Sequence, residues 1–240
     1  MQAAPLFADT RLVEIHRRLR DCYGRPPERE VWDPLKQFIY SLLSSRTKTE
    51  ITFEVVAELE RRFGSWEALR DAPLAEIEAA IRPVTFPEQK AIQLKAALTQ
   101  ITQRCGVLSL DFLKGYRTAK IRVWLEQFDG VGTKTSGAVV NFSSLRRRAM
   151  CVDSHHLRVT ERLGLVRKNA DARETEERLM AMAPADWSPL MLDEHHMLIK
   201  IHGQRTCTKN HPRCFACTLL NLCPAGQASH SKSDRLGTLS

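Results

Sequence analysis

Two groups of residues in this 240-residue chain have the types and spacing to do chemistry. The first is built around Lys134. It follows Gly130-Val131-Gly132-Thr133, where two glycines let the backbone turn tightly and approach another group with no Cβ in the way. Thr133 and Thr135 begin a run to Val140 with apolar residues at helical spacing, so Lys134 falls in the first turn of a helix. Free amides at a helix start attract anions and disfavour an ammonium, which biases a lysine there toward its neutral, nucleophilic form. Asp153, nineteen residues on, is the candidate carboxylate partner. Taken singly, each piece has a plain reading: a glycine loop, a solvated lysine, an aspartate cap. Their order and spacing favour the chemical one.

The second group is Cys207, Cys214, Cys217 and Cys223, spaced C-x6-C-x2-C-x5-C. Four thiolates this close in a reducing compartment point to metal, and both zinc and a cubane iron–sulfur cluster accept four cysteines. Zinc sites favour two short C-x2-4-C pairs, whereas only Cys214 and Cys217 form one here, and the wide first gap favours [4Fe–4S]. Lys209, His211 and Arg213 lie inside the x6 loop, where a cluster would brace basic side chains against phosphate.

The elements that must position these groups are helical. Leu12, Ile15, Leu19 and Cys22 mark one face of a helix over 9–22. Asp33-Pro34 is a cap and first-turn proline before an apolar helix from Leu35 to about Leu43, and Ser44-Ser45-Arg46-Thr47-Lys48-Thr49 then interrupts it with polar, basic residues. Further helices are expected from Thr49 to Arg62, after Ser65, after Pro73 to Ile81, and over Glu88–Cys105 with Ala91, Leu94, Leu98 and Ile101 inward. Short ones follow from Leu110 and Ala119; beyond Asp153 helices run to about Leu163, from Ala170 to Met182 and from Asp186 to Ile201. No alternating strand pattern is long enough to matter, so the fold class is all-α. The tail 225–240 is polar and is expected to be disordered.

A net charge of +8 and a pI near 9.3 suit a nucleic acid or another anionic partner. No apolar run nears the roughly 20 residues that span a bilayer, and the N-terminus lacks a signal-peptide core. The expectation is a cytoplasmic protein with no membrane partner. Seven unevenly spread cysteines argue against a disulfide framework, and Cys22, Cys105 and Cys151, like Trp32, Trp66, Trp124 and Trp187, read as core.

Together the two groups resemble the endonuclease III branch of the helix-hairpin-helix DNA glycosylase superfamily, over roughly Leu35 to Pro224. The family pattern L-P-G-V-G-x-K-T-A appears as Phe128-Asp129-Gly130-Val131-Gly132-Thr133-Lys134-Thr135-Ser136, and V-D-T-H as Val152-Asp153-Ser154-His155. The lead-in H-H-x-L-I-x-x-H-G appears as His195-His196-Met197-Leu198-Ile199-Lys200-Ile201-His202-Gly203, ahead of the family's cysteine spacing.

The resemblance implies two helical domains with DNA in the cleft between them: a six-helix barrel with a helix-hairpin-helix over 30–146, and an iron–sulfur domain of 1–29 plus 147–224. It implies a monomer acting on duplex DNA with a damaged base or abasic site, nucleoid-associated while at work. Lys134 and Asp153 would be catalytic. Gly130, Val131, Gly132, Thr133 and Thr135 would hold the DNA backbone, with a monovalent cation assisting at the hairpin; His155, Lys209 and Arg213 would add contacts, and the four cysteines would hold [4Fe–4S]. The activity implied is excision of an oxidised or ring-saturated pyrimidine with Schiff-base cleavage at the abasic site. A glycosylase for uracil or a mismatched base with weak lyase activity, and a non-catalytic iron–sulfur DNA-binding protein, stand as alternatives. The adenine-glycosylase branch usually has a non-lysine residue at the Lys134 position, which favours lyase activity.

Three departures stand out. Arg46 occupies the place of the family's inserting Gln. Phe86, in Thr85-Phe86-Pro87-Glu88-Gln89-Lys90-Ala91, occupies that of its apolar wedge. Asp129 replaces the hairpin proline. Arg146-Arg147-Arg148, close to the hairpin in sequence, is expected to meet DNA.

Overall fold

A computed structural model describes residues 10–228, and among them the regular structure is entirely helical. The chain divides into two compact units, Glu30–Arg147 and Met1–Arg29 with Arg148–Ser240.

In the first unit the helices are α2 (Pro34–Leu43), α3 (Thr49–Phe63), α4 (Trp66–Asp71), α5 (Leu74–Ala80), α6 (Pro87–Cys105), α7 (Thr118–Leu125) and α8 (Thr133–Phe142), with a 3-10 turn at Asp111–Gly115. The Asp33 carboxylate accepts the amides of Leu35 and Lys36 and Pro34 takes the first position, as the sequence predicts for a helix start. Every residue of α2 except Lys36 is buried, and α2 packs against α3, α6 and α8. A helix apolar nearly all round has no face to give to solvent, so it becomes the centre of its unit. In α8 all residues from Thr135 to Phe142 are buried, and Gly137 and Ala138 give the small side chains that close packing needs. Only Thr133 and Lys134, at its start, reach toward solvent.

The second unit joins α1 (Arg11–Tyr23) to α9 (Ser154–Arg162), α10 (Ala172–Met182) and α11 (Pro189–Arg205). Leu12, Ile15 and Leu19 enter one core with Met150, Val159, Leu179, Leu192, Leu198 and Ile199. The Arg29–Asp193 ion pair, 3.1 Å with both side chains mostly buried, ties the N-terminal segment to α11.

Some expectations fail. Cys22, at the end of the apolar stripe of α1, is exposed, and Cys105 is only half-buried. In that last turn of α1 it is Tyr23, not Cys22, that packs against the core, its hydroxyl bonded to His202 Nδ1 at 2.9 Å and Thr206 Oγ1 at 2.7 Å. Trp32, Trp66 and Trp124 are half-buried at the edges of their unit; Trp187 alone of the four is buried. The expected disorder from 225 does not begin there, since 224–228 are helical. The rest of that tail lies outside the described residues.

Candidate active site

Lys134 is placed by burial of the rest of its helix. Gly132 caps α8, and the Lys134 Nζ donates to Ser44 Oγ at 3.0 Å, just past the C-terminus of α2. The Ser44 hydroxyl itself donates to Ser41 O at 2.9 Å, so its proton is engaged and a lone pair faces the lysine. The hairpin before it is tightly made. Gly130 has φ 78°, and a Cβ there would lie 2.7 Å from the Gln93 side chain. Gln93 Nε2 donates to the Asp129 carboxylate at 3.1 Å, so Asp129, in place of proline, anchors the hairpin to α6. Val131 and Thr135 are buried, whereas Gly130 and Gly132 are exposed.

Arg46 and Phe86 lie in the same unit, both exposed, with the guanidinium carbon 5.9 Å from the ring centre. Both have left-handed backbones, φ 55° and 58°, unusual outside glycine. A residue the motif gave no special role holds them. Lys90, on the buried face of α6, donates through Nζ to Leu43 O at 2.6 Å, Ser45 O at 2.7 Å and Thr47 Oγ1 at 3.0 Å. Thr85 Oγ1 donates to Arg46 O at 2.9 Å. Burial, then the charge of Lys134, pulls the pKa of Lys90 down to about 8. Its signal in the sequence was its phase: it falls four residues before Leu94, on the apolar stripe, where a lysine needs buried acceptors.

In the other unit Asp153 caps α9. Its Oδ1 accepts the amides of His155 (2.8 Å) and His156 (3.0 Å) and Nδ1 of the His156 ring (3.0 Å). Burial alone would raise its pKa, but the His156 hydrogen bond and neighbouring charge and amides outweigh this and hold the carboxyl well below the usual range. Asp153, His156 and His196 have their ligand atoms within 4.8 Å of one another. They do not suit one ion: the two imidazoles stack with centroids 4.8 Å apart and planes 10° apart, and in-plane lone pairs on parallel rings cannot converge. His155 is half-buried, its Nδ1 bonded to the Arg158 guanidinium at 3.0 Å. A Cβ on Gly203 would lie 2.8 Å from that ring, so glycine is required where α11 meets it.

Cys207, Cys214, Cys217 and Cys223 line one cavity of ≈ 150 Å³ with Val159, Leu163 and Leu219. Donors are aimed at the sulfurs: the Arg162 guanidinium to Cys207 at 3.2 Å, the Leu219 amide to Cys217 at 3.4 Å and the Gly226 amide to Cys223 at 3.3 Å. Burial pushes the Cys217 thiol up to about 11, so a cationic centre is what would hold it as thiolate. Thiols around a cavity, with N–H groups directed at them, fit a four-thiolate metal group. Lys209, His211 and Arg213 are exposed on the loop, whose backbone Arg162 holds at Thr208 O (2.7 Å) and Lys209 O (2.9 Å). Of the three consecutive arginines, Arg146 donates to Asn141 O at 3.3 Å and Arg147 to Lys114 O at 2.9 Å. Arg148 donates to carbonyls of Pro184, Ala185 and Trp187. This run closes loops, a task the charge pattern did not reveal.

A family model described as HhH-GPD superfamily base excision DNA repair protein matches residues 39–185. The chain belongs to this superfamily. Within it, it falls in the endonuclease III branch. It is 29% identical over 201 residues to endonuclease III of Bacillus subtilis, covering 83% of this chain and 85% of that one. It is 28% identical over 212 residues to endonuclease III of Escherichia coli K12, covering 88% and 93%. Against a candidate DNA glycosylase of Arabidopsis thaliana it is 29% identical, and spans only 61% of that protein's length. Among solved structures it is similar to a trapped endonuclease III–DNA covalent intermediate, with TM-score 0.72 and 25% identity over 91% of this chain and 95% of that one. A non-covalent endonuclease III–DNA complex shares the fold at TM-score 0.76, 23% identity, 94% and 100% coverage. This HhH-GPD protein is thus a base-excision DNA glycosylase. Among its described residues no helix is long and apolar enough to cross a membrane.

Proposed function

We propose that this glycosylase is bifunctional: it excises an oxidised or ring-saturated pyrimidine from duplex DNA and cuts the abasic strand through a Schiff base on Lys134. One observation carries the reading. In an otherwise buried helix, the lysine of the G-V-G-T-K hairpin stands at the accessible first turn, its amine directed by the Ser44 hydroxyl. A base inside the duplex is out of reach, so the nucleotide must be extruded first. The neutral amine attacks C1′, the base departs with the bonding electrons, and opening of the sugar leaves a protonated imine. That imine acidifies the 2′ proton; its removal expels the 3′ phosphate, and water then releases the enzyme. The Asp153 carboxylate stabilises positive charge building on the sugar or takes a proton from the amine.

The amides of Gly130 and Gly132 with Val131, Thr133 and Thr135 hold phosphate, helped by a monovalent cation. Lys209, Arg213 and His155 add backbone contacts, and Arg46 and Phe86 fill the gap left by the extruded nucleotide. Cys207, Cys214, Cys217 and Cys223 hold a [4Fe–4S] cluster whose contribution is to brace the Lys209–Arg213 loop. The DNA-bound state of the similar endonuclease III structures supports DNA as the partner.

The test uses end-labelled duplexes bearing thymine glycol, dihydrouracil, uracil or an abasic site, analysed with and without alkali. The expected result is strand cleavage without alkali on the saturated pyrimidines and the abasic site, lost in Lys134→Ala. Excision of uracil alone, with strands cut only by alkali, would overturn the reading in favour of a monofunctional enzyme.

A further inference from the structure

Asp153 is supported from behind by a side chain that the chemistry above does not use. His156 is fully buried, and its Nδ1 meets Asp153 Oδ1 at 3.0 Å. Its other nitrogen, Nε2, has no hydrogen-bond partner among the described residues. Of the two ring nitrogens only Nδ1 has an acceptor, so Nδ1 carries a proton and donates it to the carboxylate. The ring cannot turn away: it stacks on His196, centroids 4.8 Å apart, and His196 Nδ1 lies 2.9 Å from the carbonyl of Cys151, two residues before Asp153. The chain thus closes a loop, from the Cys151 carbonyl through two stacked rings to the Asp153 carboxylate. All three donors reach Oδ1, and among the described residues none reaches Oδ2.

We propose that His156 is a positioning residue for the glycosylase reaction: its ring pins Asp153 by Oδ1, fixing the carboxylate rotamer and leaving Oδ2 as the oxygen that serves the sugar. This rests on the role assigned to Asp153 above. Two backbone amides cap α9 with or without the ring, so the cap does not explain it. A carboxylate held by those amides alone can rotate and exchange its oxygens; a third donor from a locked ring prevents this.

The test uses the full-length, cluster-loaded protein on a thymine glycol duplex, reading single-turnover excision and DNA affinity separately. The variants are His156→Phe, His156→Asn, Asp153→Asn and the Phe/Asn double. His156→Phe fills the space without a donor; His156→Asn restores a donor near Nδ1. The expected result is excision slowed about ten- to a hundredfold in His156→Phe with affinity unchanged, and largely recovered in His156→Asn. In the Asp153→Asn background His156→Phe has no further effect. Nitrogen-15 imidazole spectra of the wild type show a proton on His156 Nδ1, a readout that needs no activity. Excision by His156→Phe within twofold of wild type, an equal loss in both backgrounds, or an Nε2–H tautomer overturns the proposal. Equal rates for wild type and Asp153→Asn overturn the reading of Asp153 itself, a separate result visible in the single variant.

Discussion

Lys134 and Asp153 are held by different means, and each makes a prediction of its own. The amine of Lys134 meets a neutral hydroxyl, Ser44 Oγ, whose own proton goes to Ser41 O. Such a bond orients the amine. Ser44→Ala should slow borohydride-trappable imine formation by about two- to tenfold, the worth of one hydrogen bond, and leave DNA affinity unchanged. Asp153 is instead kept ionised. Its folded pKa is lowered from an ordinary value of 3.8, so the stability it contributes is fully present above 3.8 and is lost as pH falls below it. Asp153→Asn retains a capping side chain but not this term. The difference in thermal midpoint between wild type and Asp153→Asn should therefore be level from pH 7 to about 5 and shrink below pH 4. Asp153 was legible from V-D-S-H spacing; its partner ring was not, because a second histidine in a helix shows nothing of which carboxylate it will meet.

Among the elements, the junction of α2 and α6 shows how strain is carried. Arg46 and Phe86 sit at φ 55° and 58°, each costing about 1 kcal/mol relative to glycine, while Lys90 gathers the carbonyls at the end of α2. Arg46→Gly should raise stability by up to about 1 kcal/mol and weaken activity on duplex substrate. A denaturant titration showing lower stability would count against stored strain. Lys90→Met should instead lower stability by about 2 kcal/mol, because it leaves Leu43 O buried without its donor. Helix starts were legible wherever a cap and a first-turn proline coincide, as at Asp33-Pro34. They were less so at α6, which the sequence starts at Glu88, whereas Pro87 is the first residue of the helix. The left-handed Phe86 turns the chain directly into it, a backbone choice that side-chain periodicity does not encode.

At the scale of the molecule, α1 shares a core with helices more than a hundred residues away in sequence. Its apolar stripe was legible; its partners were not, since amphipathicity gives a face without an address. The same distance hides the histidines. His195 and His196 are buried, and burial pushes both pKa values well below the ordinary 6.5. The unfolded chain takes up protons below about pH 6.5 where the folded one does not, so these rings lower stability as pH falls through that range. Neither His195 nitrogen has a hydrogen-bond partner among the described residues. His195→Leu should raise the thermal midpoint at pH 5 more than at pH 7.5, since a leucine has no proton to exclude. The cysteine spacing was the most legible feature of all, because it puts four thiols close in sequence and the fold gathers all four around one cavity.

The central claim is that the hairpin lysine is the nucleophile. It is tested most directly by borohydride reduction of the full-length protein on an abasic-site duplex, followed by peptide mapping of any adduct. The account predicts a covalent protein–DNA adduct carried on Lys134 and absent from Lys134→Ala. An adduct on another amine, or none while DNA binding is intact, would contradict it.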